Sequence, residues 1–307
     1  MEQTGTSESL IKLHLSVLIA GTTGLYGRLI ELGGLALSCY RMALAALVLW
    51  VAFSLTRRLD RVKALDVWRL FVVGGALGIH WALFYASIKA SNISIGVVCF
   101  TLVGFFTAFL EPWLTHGRIS AREILVSGLT LVGVSLIFHL DTRYRTGILL
   151  GVASSLFGAI YTVSNKRLNG KTDYDSRTMV LYEMTGGTIV LGILTAAYGA
   201  AFGSERLLPT WGDMGWLGVC AVCSTIFLYL LQIQALKGVS AFTVNLTNNL
   251  EPIYSIVLAM VFFDEANELN ATFACGLGLI LLSVGIQTWS VVASARKARR
   301  KARYNIS

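Results

Sequence analysis

The chain has 307 residues, of which 55% are hydrophobic and only 14% are charged, and its formal net charge is +8. Soluble globular chains carry about 25% charged residues, so this composition excludes an ordinary soluble domain and indicates a polytopic membrane protein. Strand-period alternation is absent, which disfavours a membrane β-barrel.

Ten apolar spans are predicted along the chain, each about 20 residues long and therefore able to cross a bilayer as a helix. They cover roughly residues 13–30, 33–55, 67–87, 93–115, 120–139, 146–165, 178–202, 214–236, 242–263 and 271–293. The connections between them are short and leave no room for an inserted soluble domain. The sequence therefore predicts an all-α polytopic membrane protein with ten transmembrane helices.

The basic residues of the loops are distributed unevenly between the two sides of the membrane. With ten spans both termini lie on one side, and that side receives Arg57, Arg118 and Lys166 as well as the basic tail 295–307. The positive-inside rule therefore predicts that both termini are cytoplasmic. Because this topology explains the positive net charge, no nucleic-acid partner is predicted.

The two halves of the chain resemble each other. Tyr40-Arg41-Met42 in the second span corresponds to Tyr182-Glu183-Met184 in the seventh. We predict a first repeat at 13–139 and a second repeat at 146–293, each with five spans, so the second repeat is inverted in the membrane. Inverted repeats are typical of secondary transporters, whose binding sites lie near the middle of the membrane between the repeats.

The ninth span is apolar at both ends and polar in its middle. One arc of this predicted helix contains Asn245, Asn248, Asn249, Glu251, Pro252 and Ser255. A carboxylate in mid-membrane costs roughly 2.5–3.5 kcal/mol on insertion scales, so Glu251 should face protein or a water-filled cavity. The arc is either the wall of a solute site or a polar seam between packed helices.

The charged residues within the spans leave several roles open. Burial disfavours the charged form of a carboxyl group, so Glu251 could take up a proton in one conformation and release it in another, as proton coupling requires. It could alternatively bind a substrate amine or only cap the helix break at Pro252. Arg41 could reach Glu251 or an anionic solute, and a structural role in tying helix ends is open for both Arg41 and Glu183.

Polar and aromatic stripes on other spans could line the same path. The further candidate substrate-binding residues are Trp81, Tyr85, Thr101, Ser154, Tyr161, Asn165, Thr225, Tyr229 and Gln232. Stripes of small and polar residues also allow membrane helices to pack closely, which is the alternative interpretation. The five cysteines lie inside apolar spans and the four histidines lack metal-ligand spacing, so no metal or cofactor is predicted.

Three stretches connect the chain to a known family. They are Cys39–Ala46, Ala235–Ala241 and Leu250–Tyr254, the last reading Leu-Glu-Pro-Ile-Tyr. With them the chain resembles the EamA-type branch of the drug/metabolite transporter superfamily over nearly its whole length. Glu111-Pro112 departs from the pattern because it lies later in span 4 than Glu251-Pro252 does in span 9. The resemblance implies a ten-span carrier in a bacterial cytoplasmic (inner) membrane, and most such carriers export amino acids and other small metabolites.

The leading functional prediction is a secondary transporter that uses alternating access, with a small-molecule substrate and the lipid bilayer as partners. The chain contains no phosphate-binding loop, so ATP is not expected to drive it directly. A non-transporting membrane receptor or scaffold is the first alternative. An intramembrane enzyme is less favoured, because every aspartate is in or beside a loop and no His-Glu-x-x-His motif occurs. The sequence leaves the substrate, proton coupling and the choice between monomer and homodimer open.

Overall fold

The computed structural model describes residues 2–56, 61–115, 117, 119–138, 144–202, 206–263, 272, 274–286, 289 and 293. These residues form helices and loops without a strand. The helices are α1 (Glu2–Ala20), α2 (Thr23–Leu29), α3 (Gly34–Thr56), α4 (Ala64–Ala90), α5 (Ile93–Phe100), α6 (Val103–Thr115), α7 (Ala121–Phe138), α8 (Arg145–Asn169), α9 (Ser176–Phe202), α10 (Trp211–Ala221), α11 (Leu228–Leu236), α12 (Ala241–Thr247), α13 (Glu251–Phe263) and α14 (Ala274–Ile286). The basic tail 295–307 lies outside the described residues.

The prediction of an all-α polytopic membrane protein is confirmed. Eight helical segments of the described chain are long and apolar enough to cross a membrane. Helices α7 and α14 occupy the places of the other two predicted spans, so the count is close to the ten expected. Large apolar side chains such as Trp113, Leu125 and Val261 point outward with more than two thirds of their surface exposed. Such a surface suits lipid rather than water.

The fourth and ninth spans are each broken in the middle. Span 4 consists of α5 and α6, separated by a turn at residues 101–102, and span 9 consists of α12 and α13, separated by a 3₁₀ turn at Asn248–Leu250. The first parts have 8 and 7 residues and the second parts both have 13. Side chains of Asn92 and Ser240 cap the starts of α5 and α12. Irregular backbone at this depth is tolerated only where it is buried in protein or lines a cavity.

The long helix α4 is at the centre of the bundle and packs against α3, α8 and α9. Glycines make its crossing with α9 very close. A Cβ atom on Gly74 would lie 1.9 Å from the carbonyl oxygen of Glu183, and one on Gly187 would lie 2.7 Å from the carbonyl oxygen of Gly74. Small residues allow such close approach of membrane helices. The crossing therefore fixes Glu183 in the interior of the bundle.

Candidate functional site

A central cavity lies where the helices of both halves of the chain meet. Its walls are formed by Ala20, Thr23, Arg41, Leu77, His80, Trp81, Phe84, Phe100, Gly158, Tyr161, Thr162, Leu228, Tyr229, Gln232, Asn245, Asn248 and Glu251. About 40 Å³ of this cavity is open to the centre of a water molecule. One water needs roughly 10–15 Å³ of that measure, so the cavity has room for a few waters. This conformation therefore leaves little empty space at the site.

Arg41 is fully buried in one wall of the cavity. Its Nε donates to Thr225 Oγ1 at 2.6 Å, its Nη1 donates to Tyr85 Oη at 2.7 Å, and its Nη2 donates to the carbonyl oxygen of Ser224. The guanidinium carbon lies 3.7 Å from the ring centroid of Trp81. None of the ion pairs found in the described chain involves Arg41. A planar guanidinium suits this combination of a hydrogen-bonded fork and aromatic stacking.

The acceptors of Arg41 come from an irregular stretch of the eighth span. Residues Val222–Phe227, between α10 and α11, form a π-helix. In this segment the Thr225 hydroxyl donates to the carbonyl oxygen of Cys220 at 3.0 Å, which leaves its lone pairs free for Arg41. Single turns of π-helix inside α-helices occur frequently at functional sites.

An aromatic series runs from Arg41 across the cavity. The indole of Trp81 donates to Tyr229 Oη at 2.8 Å, and the two rings meet edge to face with centroids 5.2 Å apart. Tyr229 in turn contacts the ring of Tyr161, with centroids 5.7 Å apart. Edge-to-face pairs are a favoured aromatic arrangement. These rings give the cavity an apolar wall with polar edges.

Glu251 lies at the start of α13, directly after the break in the ninth span. It is 4% exposed, and its Oε1 accepts a hydrogen bond from the Thr23 hydroxyl at 3.0 Å. Among the described residues no side chain or backbone group donates to its Oε2. Glu251 and Arg41 line the same cavity without forming an ion pair with each other. The cavity therefore has one acidic and one basic group that are each held by neutral partners.

Glu183 is a second buried carboxylate, one layer behind the cavity wall. Tyr161 Oη donates to its Oε2 at 3.1 Å and Asn165 Nδ2 donates to its Oε1 at 2.8 Å. It is completely buried, and no described lysine, arginine or histidine forms an ion pair with it. The hydrogen bond from Tyr161 connects this carboxylate to the cavity.

The structure brings most of the predicted site residues to the cavity or next to it. Those in the wall are Arg41, Trp81, Tyr161, Tyr229, Gln232, Asn245, Asn248 and Glu251. Tyr85 and Thr225 hold Arg41, and Asn165 holds Glu183. Ser154 lies against His80, with its hydroxyl 2.8 Å from His80 Nδ1. Thr101 and Asn249 are buried at the two helix breaks and do not line the cavity.

Three polar residues of the wall, Thr23, His80 and Thr162, are not among the candidate residues predicted from the sequence. Thr23 begins the short helix α2, where the first span is interrupted, and its hydroxyl reaches Glu251. His80 is next to Trp81 in α4 and stacks against Phe100, with ring centroids 4.9 Å apart. Adjacency to Trp81 is the sequence signal that could have predicted His80 in the wall. A lone histidine without metal-ligand spacing does not by itself predict a site.

A second, larger cavity opens at one end of the bundle between α4, α6 and α8. We call it the vestibule, and its walls are Asp66, Trp68, Arg69, Val72, Val73, Leu114, Ser164, Arg167, Leu168, Lys171 and Thr172. About 370 Å³ of the vestibule is open to the centre of a water molecule. Three of its residues are cationic, and Arg69 forms an ion pair with Asp66 at 2.8 Å. It lies at the end of the bundle that the charge distribution of the loops predicts to be cytoplasmic.

Comparison with known proteins identifies relatives along most of the chain. The model of the EamA-like transporter family matches residues 9–139 and 145–289. The uncharacterized transporter YxxF of Bacillus subtilis (strain 168) is 22% identical over 291 residues, which is 91% of this chain and 88% of that protein. An uncharacterized transporter of Archaeoglobus fulgidus is 25% identical over 260 residues, covering 83% of this chain and 88% of that protein. A solved crystal structure superposes with a TM-score of 0.68 at 15% identity, covering 92% of this chain and 98% of that one.

Proposed function

Because the chain belongs to the EamA-like transporter family, it is a transporter of the drug/metabolite type, and we propose that it exports an amino acid or a related small solute by alternating access. The observation that supports this most directly is the pair of unlike charges in the central cavity. Arg41 and Glu251 both line the cavity, and no ion pair between them is found in the described chain. Charged residues within membrane spans mark substrate or ion pathways.

A zwitterionic solute matches the two charged groups. The guanidinium of Arg41 has five N–H donors, and its three hydrogen bonds leave others available to a solute carboxylate. The Oε2 atom of Glu251 is available to a solute ammonium group. The aromatic rings of Trp81, Tyr161 and Tyr229 would contact the rest of the solute. An α-amino acid has these features.

The corresponding breaks in spans 4 and 9 support two inverted repeats as the moving units. Interrupted spans at corresponding positions of the two halves are a feature of carriers with inverted repeats. We propose repeats at 13–139 and 146–293 that rock against each other around the central cavity. The same proposal places the protein in the cytoplasmic membrane with both termini in the cytoplasm.

Thermal stability of the purified protein tests the solute class. A ligand that binds the native state raises stability by RT ln(1 + [L]/Kd), so even weak binders register. A screen of the proteinogenic amino acids should give at least one positive shift. The methyl ester of that amino acid lacks the carboxylate, and its N-acetyl derivative lacks the ammonium group. Each derivative should bind at least about tenfold more weakly than the amino acid itself. A hydrogen bond to a charged group contributes about 1.5–3 kcal/mol, and 1.4 kcal/mol is a factor of ten. Equal binding of all three forms would contradict the zwitterion proposal.

Proteoliposomes test the carrier function itself. The amino acid that shifts the melting temperature should be taken up with saturable kinetics and recovered chemically unchanged. Binding without flux would favour the receptor or scaffold alternative, and a changed product would favour the intramembrane enzyme. Glu251→Gln keeps the shape of the side chain and removes its charge. It should abolish binding of the amino acid while the N-acetyl derivative binds as it does to the wild type.

A further inference from the structure

Glu183 is a buried carboxylate that the proposed solute site does not use. Both of its oxygens accept hydrogen bonds from α8, and its backbone is pressed against Gly74 of α4. An ionised carboxylate without a cationic partner is costly inside a membrane, and such residues commonly belong to proton relays. The energetic cost of burying this carboxylate suggests that it is retained for a function.

Glu183 is close to residues that line each of the two cavities. On one side its partner Tyr161 is part of the central cavity wall. On the other side, Glu183 contacts Asn165 and the backbone of Gly74. Their chain neighbours Ser164 and Val73 line the vestibule. Glu183 thus contacts one wall residue of the central cavity, and two of its other neighbours adjoin residues of the vestibule wall.

The surroundings of Glu183 contain titratable groups but no close cation among the described residues. Tyr161 of α8 donates to it directly, and Tyr229 of α11 interacts with it electrostatically from the far side of the Tyr161 ring. Arg41 of α3 and His80 of α4 lie further away, around the central cavity. Asp66 and Arg69 of α4 are in the vestibule and are paired with each other.

We propose that Glu183 is the proton-binding site of the transporter and that it exchanges its proton with water in the vestibule. The two hydrogen-bond partners identify the oxygen that takes the proton. Asn165 Nδ2 can only donate, so Oε1 keeps this bond in either state. The Tyr161 hydroxyl can donate or accept, so the proton binds at Oε2. No bond between heavy atoms changes, and the proton returns to water by the same route.

Protonation reverses the hydrogen bond between Glu183 and Tyr161. When Glu183 is ionised, the Tyr161 hydroxyl donates to it and offers only lone pairs to the central cavity. When Oε2 carries the proton, it donates to Tyr161, and the Tyr161 hydrogen becomes free to donate into the cavity. The cavity wall thus gains a donor when the proton binds. Because coupling between two binding events is reciprocal, proton binding and solute binding become linked.

This inference assigns the proton step of the transport proposed above, and it is tested without any solute. Infrared difference spectra of the full-length protein between acidic and alkaline buffer report the bands of protonated carboxyl groups. Glu183→Gln should lose one such band completely. Tyr161→Phe should keep that band but shift its frequency, because the carboxyl group loses its acceptor. Glu251→Gln, the control in the solute site, should retain the band at the wild-type position.

Two results would overturn the assignment. One is a Glu183→Gln spectrum that retains every carboxyl band of the wild type. The other is a Tyr161→Phe spectrum identical to that of the wild type, and this comparison decides the question even if Glu183→Gln does not fold. The analogue binding experiment tests the solute site independently. Failure of the proton proposal is therefore distinguishable from failure of the proposed function.

Discussion

Arg41 illustrates at the scale of a single residue how a cation is maintained in the membrane interior without a counter-ion. Its donors are directed to a hydroxyl, a phenol and a backbone carbonyl, and its face is stacked on Trp81. These neutral partners fix the position of the guanidinium, and none of the ion pairs in the described part of the chain involves it. Its unused donors and its charge are then available to an anionic group in the cavity.

Arg41→Lys tests whether this geometry matters beyond charge. Lysine keeps the positive charge but loses the planar fork and the stacking on Trp81. We expect the affinity for the amino acid to fall about tenfold or more, because each hydrogen bond to a charged group contributes about 1.5–3 kcal/mol. The matched control is Arg28→Lys, at an arginine over the ring of Phe263 and outside the cavity wall. The prediction is contradicted if both variants bind like the wild type in the thermal-shift assay.

The cavity wall could be predicted in part from sequence for a physical reason. Helical periodicity places residues on one face of a helix, so the arcs of spans 6, 8 and 9 identified Tyr161, Gln232 and Asn245. Periodicity does not fix how neighbouring helices rotate against each other. Thr23 and Glu183 therefore acquired their positions only in the folded bundle, Thr23 through the interruption of the first span and Glu183 through the glycine crossing of α4 and α9.

At the scale of helices, two charges stabilise the hairpin that joins α11 to α12. Lys166 Nζ donates to the carbonyl oxygens of Leu236 and Val239, both at 2.7 Å, at the end of α11. Glu111 accepts from the backbone N–H groups of Ala241 and Phe242, at 3.1 and 2.8 Å, at the start of α12. Cations are favourable at helix C-termini and anions at N-termini. Glu111 therefore caps a helix in span 9 and is not the counterpart of Glu251 in the cavity.

Glu111→Gln should lower thermal stability without changing the affinity for the solute. The amide retains one acceptor for the first turn of α12 but loses the charge that favours this helix end. Loss of an N-terminal cap costs about 0.5–2 kcal/mol. Glu8→Gln removes an exposed pair with Lys12 and is the control, since such pairs contribute about 0–1 kcal/mol. A melting temperature equal to that of the wild type would contradict a capping role for Glu111.

The helix irregularities differ in how visible they are in the sequence. The break in span 9 contains Asn248 and Asn249 and is closely followed by Pro252, which the sequence shows directly. The break at residues 101–102 has no such signal, because the preceding helix α5 is apolar and contains no proline. The π-helix at Val222–Phe227 spans too few residues to alter a hydrophobic period.

Thr225 tests the contribution of the π-helix to the site. Thr225→Val keeps the volume of the side chain but removes the acceptor of Arg41 Nε, which leaves a buried charged donor unsatisfied. We expect a lower melting temperature and weaker solute binding, corresponding to a loss of about 1–3 kcal/mol. Thr225→Ser keeps the hydroxyl and should remain close to the wild type in both measurements. Equal behaviour of the two variants would show that the hydroxyl does not position Arg41.

At the scale of the whole molecule, the halves of the chain are interleaved. Helix α4 of the first half makes extensive contacts with α8 and α9 of the second half. The central cavity takes residues from both halves, and it is much smaller than the vestibule. Composition and span count were sufficient for the fold class. The interleaving was not predictable, because it depends on which helix faces meet in three dimensions.

The orientation of the protein in the membrane determines whether the vestibule opens to the cytoplasm or to the outside. The loop between α8 and α9 contains Lys171 and exposed Asp173, and the charge distribution predicts that it is cytoplasmic. The loop between α9 and α10 contains Leu208, which is 74% exposed, and it should face outward. The natural cysteines are first replaced by alanine or serine, and single cysteines are then placed at each position. An impermeant thiol reagent should label Leu208→Cys in intact cells and should label Asp173→Cys only after the cells are permeabilised. Labelling of Asp173→Cys in intact cells would reverse the orientation, and Glu183 would then exchange protons with the outer compartment.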